Sequence, residues 1–213
     1  FHARQVNIWP RPYQEPYPPV WITALSPGSA QAVGERGQVV ACFLTGFDGS
    51  KKVFDAYRAR RAELGLPAAS LDRFAYAALV YTGETDEAGY AGARKLMWYV
   101  EANKVPFQFT SPPGYQPPAA MAGAIKGPAS GVFKMFQNPD LGSFMENGLV
   151  FAGNPATVYR QIVKFYEHVG GFGQLLLMGQ AGFLDHDETV KGMQLFAREV
   201  YPRLKELNPA VAA

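Results

Sequence analysis

Ser26, Gly28 and Ser29 are the residues whose types and spacing speak most directly of chemistry. They lie in the run Pro-Val-Trp-Ile-Thr-Ala-Leu-Ser-Pro-Gly-Ser-Ala (residues 19–30). Residues 20–25 have the apolar character of a buried strand, and a helix-start signal follows at once. Ser26 suits the N-cap, Pro27 suits the first helical position, and Gly28 lets a ligand approach the backbone closely. The first turn of a helix carries unpaired N–H groups and a partial positive charge, to which two hydroxyls add donors. That combination is a seat for a phosphate. It also describes an ordinary capped helix after a strand, and these residues alone leave both readings open.

The other candidate residues point to structure more than to reaction. The histidines are His2, His168 and His186. His2 lies in the entering segment and could approach a pocket rim or stay solvated. His168 falls at a predicted helix C-terminus, a structural place. Asp185-His186-Asp187-Glu188 has the composition of a metal cluster, but Asp185 and Glu188 are at capping-box spacing, and neighbouring helical positions diverge instead of converging on an ion. No metal site is assigned. The single cysteine, Cys42, sits in an apolar strand pattern and reads as a buried inert thiol. Tyr13, Tyr17 and Trp21 read as core or pocket aromatics, with core the simpler assignment. No Gly-x-Ser-x-Gly nucleophile elbow and no recognisable carboxylate pair occur, so no catalytic residue is assigned. The run 179–183 either lines a pocket mouth or is a plain turn.

Elements able to position such a seat alternate along the chain. Residues 20–25, 39–45, 74–81 and 174–178 are near-continuously apolar, the pattern of strands covered on both faces of a parallel sheet. Between them lie helical patterns. One covers 30–35 and ends at Gly37. Another is capped by Ser50, carries Val53, Phe54, Tyr57 and Leu64, and closes at Gly65 and Pro67. A third spans 84–102 with Leu96, Met97 and Val100, and a fourth runs from Asn154-Pro155 to Gly170-Gly171. The last begins at 185–187 with the stripe Val190, Met193, Phe196, Val200 and Leu204, and Pro202 should kink it. The expected fold class is α/β, as a doubly wound sheet or a (β/α) barrel, and the regular alternation favours the barrel. No Gly-x-Gly-x-x-Gly fingerprint follows a strand. Residues 104–150 break the rhythm, and their Phe, Tyr and Met content (Phe107, Phe109, Tyr115, Met121, Phe133, Met135, Phe136, Phe144, Met145) predicts a lid-like insertion.

Bulk properties narrow the class further. The 213 residues suit one domain or a large part of one, and the net charge is only +2. Lysines and arginines are scattered, apart from Arg58, Arg60 and Arg61 on a predicted solvated helix face, which argues against a nucleic-acid partner. No apolar run reaches the roughly 18 residues that span a bilayer. A cytoplasmic setting is expected. The chain opens at Phe1 on a polar, Pro-rich run that reads as a connection from something upstream.

The run Arg11-Pro12-Tyr13-Gln14-Glu15-Pro16-Tyr17-Pro18-Pro19-Val20-Trp21, the Ser26–Ser29 turn and Glu35-Arg36-Gly37 resemble the bacterial luciferase-like family of flavin-dependent monooxygenases. So do Gly153-Asn154-Pro155, Gly170-Gly171-Phe172 and the stretch from Leu195 to Pro202. The resemblance implies a (β/α)8 TIM-barrel type, with residues 1–213 as the carboxyl-terminal part of one barrel domain and 104–150 a lid or insertion within it. It implies reduced FMN and oxygen acting on a small, hydrophobic organic substrate, with Ser26, Gly28 and Ser29 at the flavin phosphate and a separate flavin reductase as a partner. A deazaflavin with hydride transfer is the alternative on the same fold. A non-catalytic half-barrel that associates with another chain is the alternative from outside catalysis. Open sheet edges predict a homo-oligomer.

Overall fold

Nine consecutive residues, Phe74–Thr82, form the strand around which the sheet is assembled. The structure is a computed structural model that describes residue 7 and residues 9–102, 114 and 139–207. Its strands are β1 (Trp21–Thr23), β2 (Val39–Phe43), β3 (Phe74–Thr82), β4 (Val150–Gly153) and β5 (Gln174–Met178), and every pairing is parallel. β1 lies beside β2, and β2 beside the first half of β3, in register from Val40↔Phe74 to Phe43↔Ala77. β5 takes the other edge of β3, from Ala75↔Gln174 to Leu79↔Met178.

β4 pairs with the second half of β3, from Leu79↔Val150 to Thr82↔Gly153. It does so on the edge that β2 has just left. Leu44 N–H donates to Ala77 O, and the next rung on that edge is Leu79 N–H to Leu149 O. In a parallel ladder, residues two apart point their backbone groups at the same neighbour, so both bonds belong to one edge. β2 can leave because Leu44 adopts φ +48°, a left-handed conformation rarely taken outside glycine, and Gly46 follows at φ +70°.

The helices are α1 (Pro27–Glu35), α2 (Gly46–Glu63), α3 (Asp86–Leu96), α4 (Trp98–Ala102), α5 (Leu141–Glu146), α6 (Pro155–His168), α7 (His186–Leu195) and α8 (Tyr201–Lys205), with a π-turn at Phe196–Val200. Their starts follow local chemistry: the side chains of Ser26, Thr85, Asp140, Asn154 and Asp185 each accept a backbone N–H three residues on. Asp185 and Glu188 complete a capping box, as their spacing predicts. On one face of the sheet Tyr76, Ala78 and Val80 pack with Phe54, Tyr57, Ile162 and Phe165. Phe165 is the hub, stacked on Tyr76 at 4.1 Å and tilted or edge-on to Phe47, Phe151 and Phe172. On the other face Leu79 and Tyr81 meet Leu96, Met97, Phe144 and Leu149.

Several expectations need correction. β1 is exposed and β5 half-exposed, neither of them buried, and β1 is shorter than residues 20–25. β4 is a fifth strand that the four expected ones do not include, and its first residue, Val150, falls at the end of the expected insertion. Of residues 104–150, those at 104–113 and 115–138 lie outside the described residues, with Phe107, Phe109, Tyr115, Met121, Phe133, Met135 and Phe136. The end of that range is core: Phe144, Leu149 and Val150 are fully buried. Ser50 does not cap α2; it is buried inside the helix and bonded to Thr45, the N-cap residue. The span 84–102 breaks at Met97 into α3 and α4. Met193 leaves the buried stripe of the last helix, which runs through Thr189, Gly192, Leu195, Phe196 and Val200. The missing N–H of Pro202 is met one turn upstream by a π-turn, with Tyr201 N–H reaching Phe196 O.

The largest correction concerns Arg58, expected on a solvated face. Its Nη1 donates to Val169 O at 2.9 Å and its Nη2 to Gly170 O at 2.9 Å and Gly171 O at 3.1 Å. The guanidinium lies 4.4 Å from the centre of the Phe74 ring. One side chain thus closes the α6 terminus, where Gly170 and Gly171 turn the chain at positive φ toward β5. Arg58→Ala should cost about 2 kcal/mol, because the bonds are charge-assisted and partly buried. Arg58→Lys should recover less than half of that, lacking the planar fork. Urea denaturation measures both, and an unchanged midpoint for Arg58→Ala would remove the clamp.

Candidate functional site

Because every strand runs the same way, the loops that follow them gather at one end of the sheet. In barrels of parallel strands this carboxyl end holds the ligand. The turn after β1 places Ser26, Gly28 and Ser29 there, all exposed. Ser29 N–H donates to Ser26 Oγ at 3.3 Å, and the two hydroxyls are 3.0 Å apart. The first turn of α1 contains no acidic residue. A Cβ built on Gly28 would meet nothing within 4 Å, so the outer side of the turn is open space. The sequence-derived residues are therefore brought together, with their hydroxyls side by side.

The turn after β2 is held from beneath. Thr45 Oγ1 and Ser50 Oγ lie 2.6 Å apart, and Phe47 N–H donates to Asn147 O at 3.1 Å. Tyr76 OH donates to Gly148 O at 2.7 Å in the same corner. These bonds hold Leu44 in its unfavourable conformation, and such residues gather where a structure has been shaped for something other than stability. Cys42 lies below, fully buried, with Sγ 3.8 Å from Ala24 O. Burial pushes its thiol up to about 11, against weaker opposing bonds from Thr45 and Ser50, so it stays protonated and unreactive.

The turn after β3 meets the end of β4 through bare backbone. A Cβ on Gly89 would lie 2.4 Å from Gly153 Cα, and one on Gly83 would lie 2.2 Å from Gly89 N. Gly83 N–H donates to Gly153 O at 2.9 Å, and Asp86 Oδ1 accepts Asn154 N–H at 2.8 Å. Tyr81 is wedged between Gly92 and Gly192 and donates its OH to Glu188 O at 3.0 Å. Burial, with the nearby Glu188 charge, raises its pKa and keeps it a neutral donor. Lys95 pairs with Glu188 across the same junction.

The loop after β5 turns tightly, with Leu184 N–H bonded to Ala181 O and both residues buried. Between them Phe183 is 67% exposed and sits edge-on to Trp98, ring centres 6.1 Å apart. Gly182 has no room for a side chain because the Trp98 indole occupies it. An aromatic rim therefore stands at the carboxyl end, built from two segments far apart in sequence.

The remaining candidates are scattered. Tyr13, Tyr17 and Trp21 are exposed and do not belong to the core. His168 Nε2 lies 3.2 Å from Asp48 Oδ1 beside the Phe47 ring, a helix-end contact. His186 opens α7 within the capping box, and His2 lies outside the described residues. Sequence reasoning missed Trp98, Leu44 and the Gly83–Gly89–Gly153 junction. Glycine-rich punctuation was the available signal for the junction; a left-handed leucine has none.

A model of the luciferase-like monooxygenase family matches residues 1–171, and the chain belongs to that family. Among solved structures it is similar to the oxygenating constituent of 3,6-diketocamphane monooxygenase from Pseudomonas putida in complex with FMN, at 23% identity over 88% of this chain and 49% of that one, TM-score 0.64. It is also similar to the monooxygenase RslO1 from Streptomyces bottropensis, at 19% identity over 92% and 51%, TM-score 0.63. A third likeness is to the coenzyme F420 dependent tetrahydromethanopterin reductase from Methanopyrus kandleri, at 17% identity over 87% and 50%, TM-score 0.55. These likenesses establish the fold: the parallel sheet is that of a luciferase-like (β/α) barrel, and the chain spans about half the length of these structures. No curated protein sequence matches the chain. Among the described residues, no helix is long and apolar enough to cross a membrane.

Two glycines on this end should behave oppositely. Gly89→Ala should lose about 3 kcal/mol of stability through backbone overlap, while Gly28→Ala should change it by less than about 1 kcal/mol. Thermal unfolding of the pair checks the contrast. Cys42 should remain unlabelled by a thiol reagent near about pH 8 in the native state and react fully in denaturant, and rapid native labelling would contradict its burial.

Proposed function

We propose that this chain supplies the flavin-phosphate seat and part of the substrate mouth of a flavin-dependent monooxygenase, as the carboxyl-terminal half of a luciferase-like barrel. Reduced FMN, when bound, supplies the reaction with oxygen that leads to oxygenation of a small organic substrate. The observation that carries this reading is the acid-free, hydroxyl-tipped start of α1 at the carboxyl end of a parallel barrel-type sheet. Ser26 and Ser29 would donate their hydroxyls to a phosphate, and Gly28 would let it approach the first-turn N–H groups. The fit is favourable: the space beyond Gly28 is open, and no carboxylate in that turn opposes an anion.

The chain's own residues suggest a division of labour around the mouth. The α1 start would anchor the anionic tail, and the buttressed turn after β2 would hold its neighbour rigid. Trp98 and Phe183 would offer an apolar face to the substrate and help keep water from it, which supports a hydrophobic substrate. A reductase delivering reduced FMN belongs to the same reading. The likeness to a coenzyme F420 dependent reductase favours a second reading, a deazaflavin with hydride transfer on the same scaffold. The absorbance spectrum of the cofactor retained by the intact protein separates the two.

Replacing Ser26 and Ser29 together by alanine should weaken FMN binding about tenfold, a loss of about 1.4 kcal/mol from two charge-assisted hydrogen bonds. Fluorescence titration of FMN against the intact protein and the double variant measures it. Equal affinities would remove the phosphate assignment.

A further inference from the structure

Asn147-Gly148 is the one place in the sequence where glycine follows asparagine. That pair has a reaction of its own. The backbone nitrogen of the glycine, unhindered by a side chain, attacks Cγ of the asparagine side chain. Ammonia leaves, a five-membered succinimide forms, and water opens it to aspartate or isoaspartate. The fold does not allow the pair to be relieved at Gly148. Its φ is +75°, and a Cβ there would lie 2.9 Å from both the Phe165 and the Phe47 rings. Asn147 itself is exposed at the carboxyl terminus of α5.

In the folded chain the reacting atoms are held apart. Asn147 Nδ2 donates to Ser143 O at 2.9 Å, and Gly148 N–H donates to Met145 O at 3.1 Å. A ψ of 3° at Asn147 turns the Gly148 nitrogen away from Cγ. These restraints all belong to α5, six residues long and started by Asp140, whose Oδ2 accepts Ser143 N–H at 2.8 Å. A helix this short opens at far smaller cost than the sheet it rests on.

We propose that Asn147 is a modification site: local opening of α5 lets its side chain close on Gly148, and isoaspartate formed there unlocks the corner that holds the turn after β2. The main chain of isoaspartate runs through Cβ and Cγ and is longer by one methylene. Gly148 then loses its place between Phe47 and Phe165, and its carbonyl leaves the Tyr76 OH that donates to it at 2.7 Å. The Asn147 carbonyl that accepts Phe47 N–H at 3.1 Å becomes a free carboxylate on the lengthened chain. Two of the bonds that hold the Leu44 turn from beneath are therefore disturbed by one spontaneous reaction. The inference rests on this corner and not on the cofactor assignment.

Peptide mass mapping of the intact protein, kept at mildly alkaline pH, reads the reaction as the small mass gain of an amide turned acid. In urea the gain should appear at Asn147 before any other asparagine, and in the native state it should be at least about tenfold slower. Asp140→Ala, which removes the cap of α5, should speed the native reaction about fivefold and leave the rate in urea unchanged. If that variant does not fold, urea below the unfolding transition should raise the rate in the unaltered protein. Asn147→Gln, whose amide would need a larger ring, should abolish the early gain. Refolded protein carrying isoaspartate at this position should melt at a lower temperature than unmodified protein. Equal rates in native buffer and in urea overturn the inference. So do a native rate that neither Asp140→Ala nor mild urea changes, and an unchanged melting temperature after modification.

Discussion

One edge of β3 serves two strands in succession, and the rest of the structure depends on that handover. β2 occupies the edge as far as Ala77 and β4 from Leu79 onward. The exchange requires β2 to turn away within one residue, which the left-handed Leu44 accomplishes. Such a conformation is costly for leucine and persists only where its surroundings over-determine it. Here the surroundings are Thr45 with Ser50, and Phe47 with Asn147, so the carboxyl end of β2 and the approach to β4 form one locked corner. The α6 helix then follows β4, and Arg58 ties its far end back to α2 and Phe74.

The carboxyl end of the sheet has two characters. On the β1 side it is polar and open, with paired hydroxyls and no carboxylate in the first turn of α1. On the β3–β5 side it is tight and aromatic: glycines touch backbone to backbone, Tyr81 is wedged between helices, and Trp98 and Phe183 form a rim. β1 and β5 are the two ends of the strand path, so the polar and the aromatic characters stand at opposite sides of the same carboxyl end.

Much of this was legible in the sequence, and the failures have physical causes. Ser26-Pro27, Asn154-Pro155 and the Asp185–Glu188 box announce helix starts because capping is local and needs few residues. The apolar run at Phe74–Thr82 announced a strand buried on both faces. Val150–Gly153 escaped because a four-residue strand following a long irregular stretch carries no periodicity of its own. β1 and β5 read as buried because sequence reports what a strand needs to cover, not whether its neighbour is at hand. Arg58 looked solvated because its acceptors, the carbonyls of Val169 to Gly171, lie more than a hundred residues away in the chain. Of the proposed site, the residue types were readable; the rim of Trp98 and Phe183 depends on a helix break at Met97 that propensity did not mark.

The handover on β3 also fixes where two helices far apart in sequence must meet. The polypeptide departs through α4 and returns through α5, and Met97, Val100 and Phe144 from these two helices are sealed into one cluster with Leu79 and Leu149. The returning strand β4 docks on rungs of β3 that β2 has already vacated. The framework at this point is therefore closed by the contact between two short helices that are far apart in sequence, and not by the ladder alone.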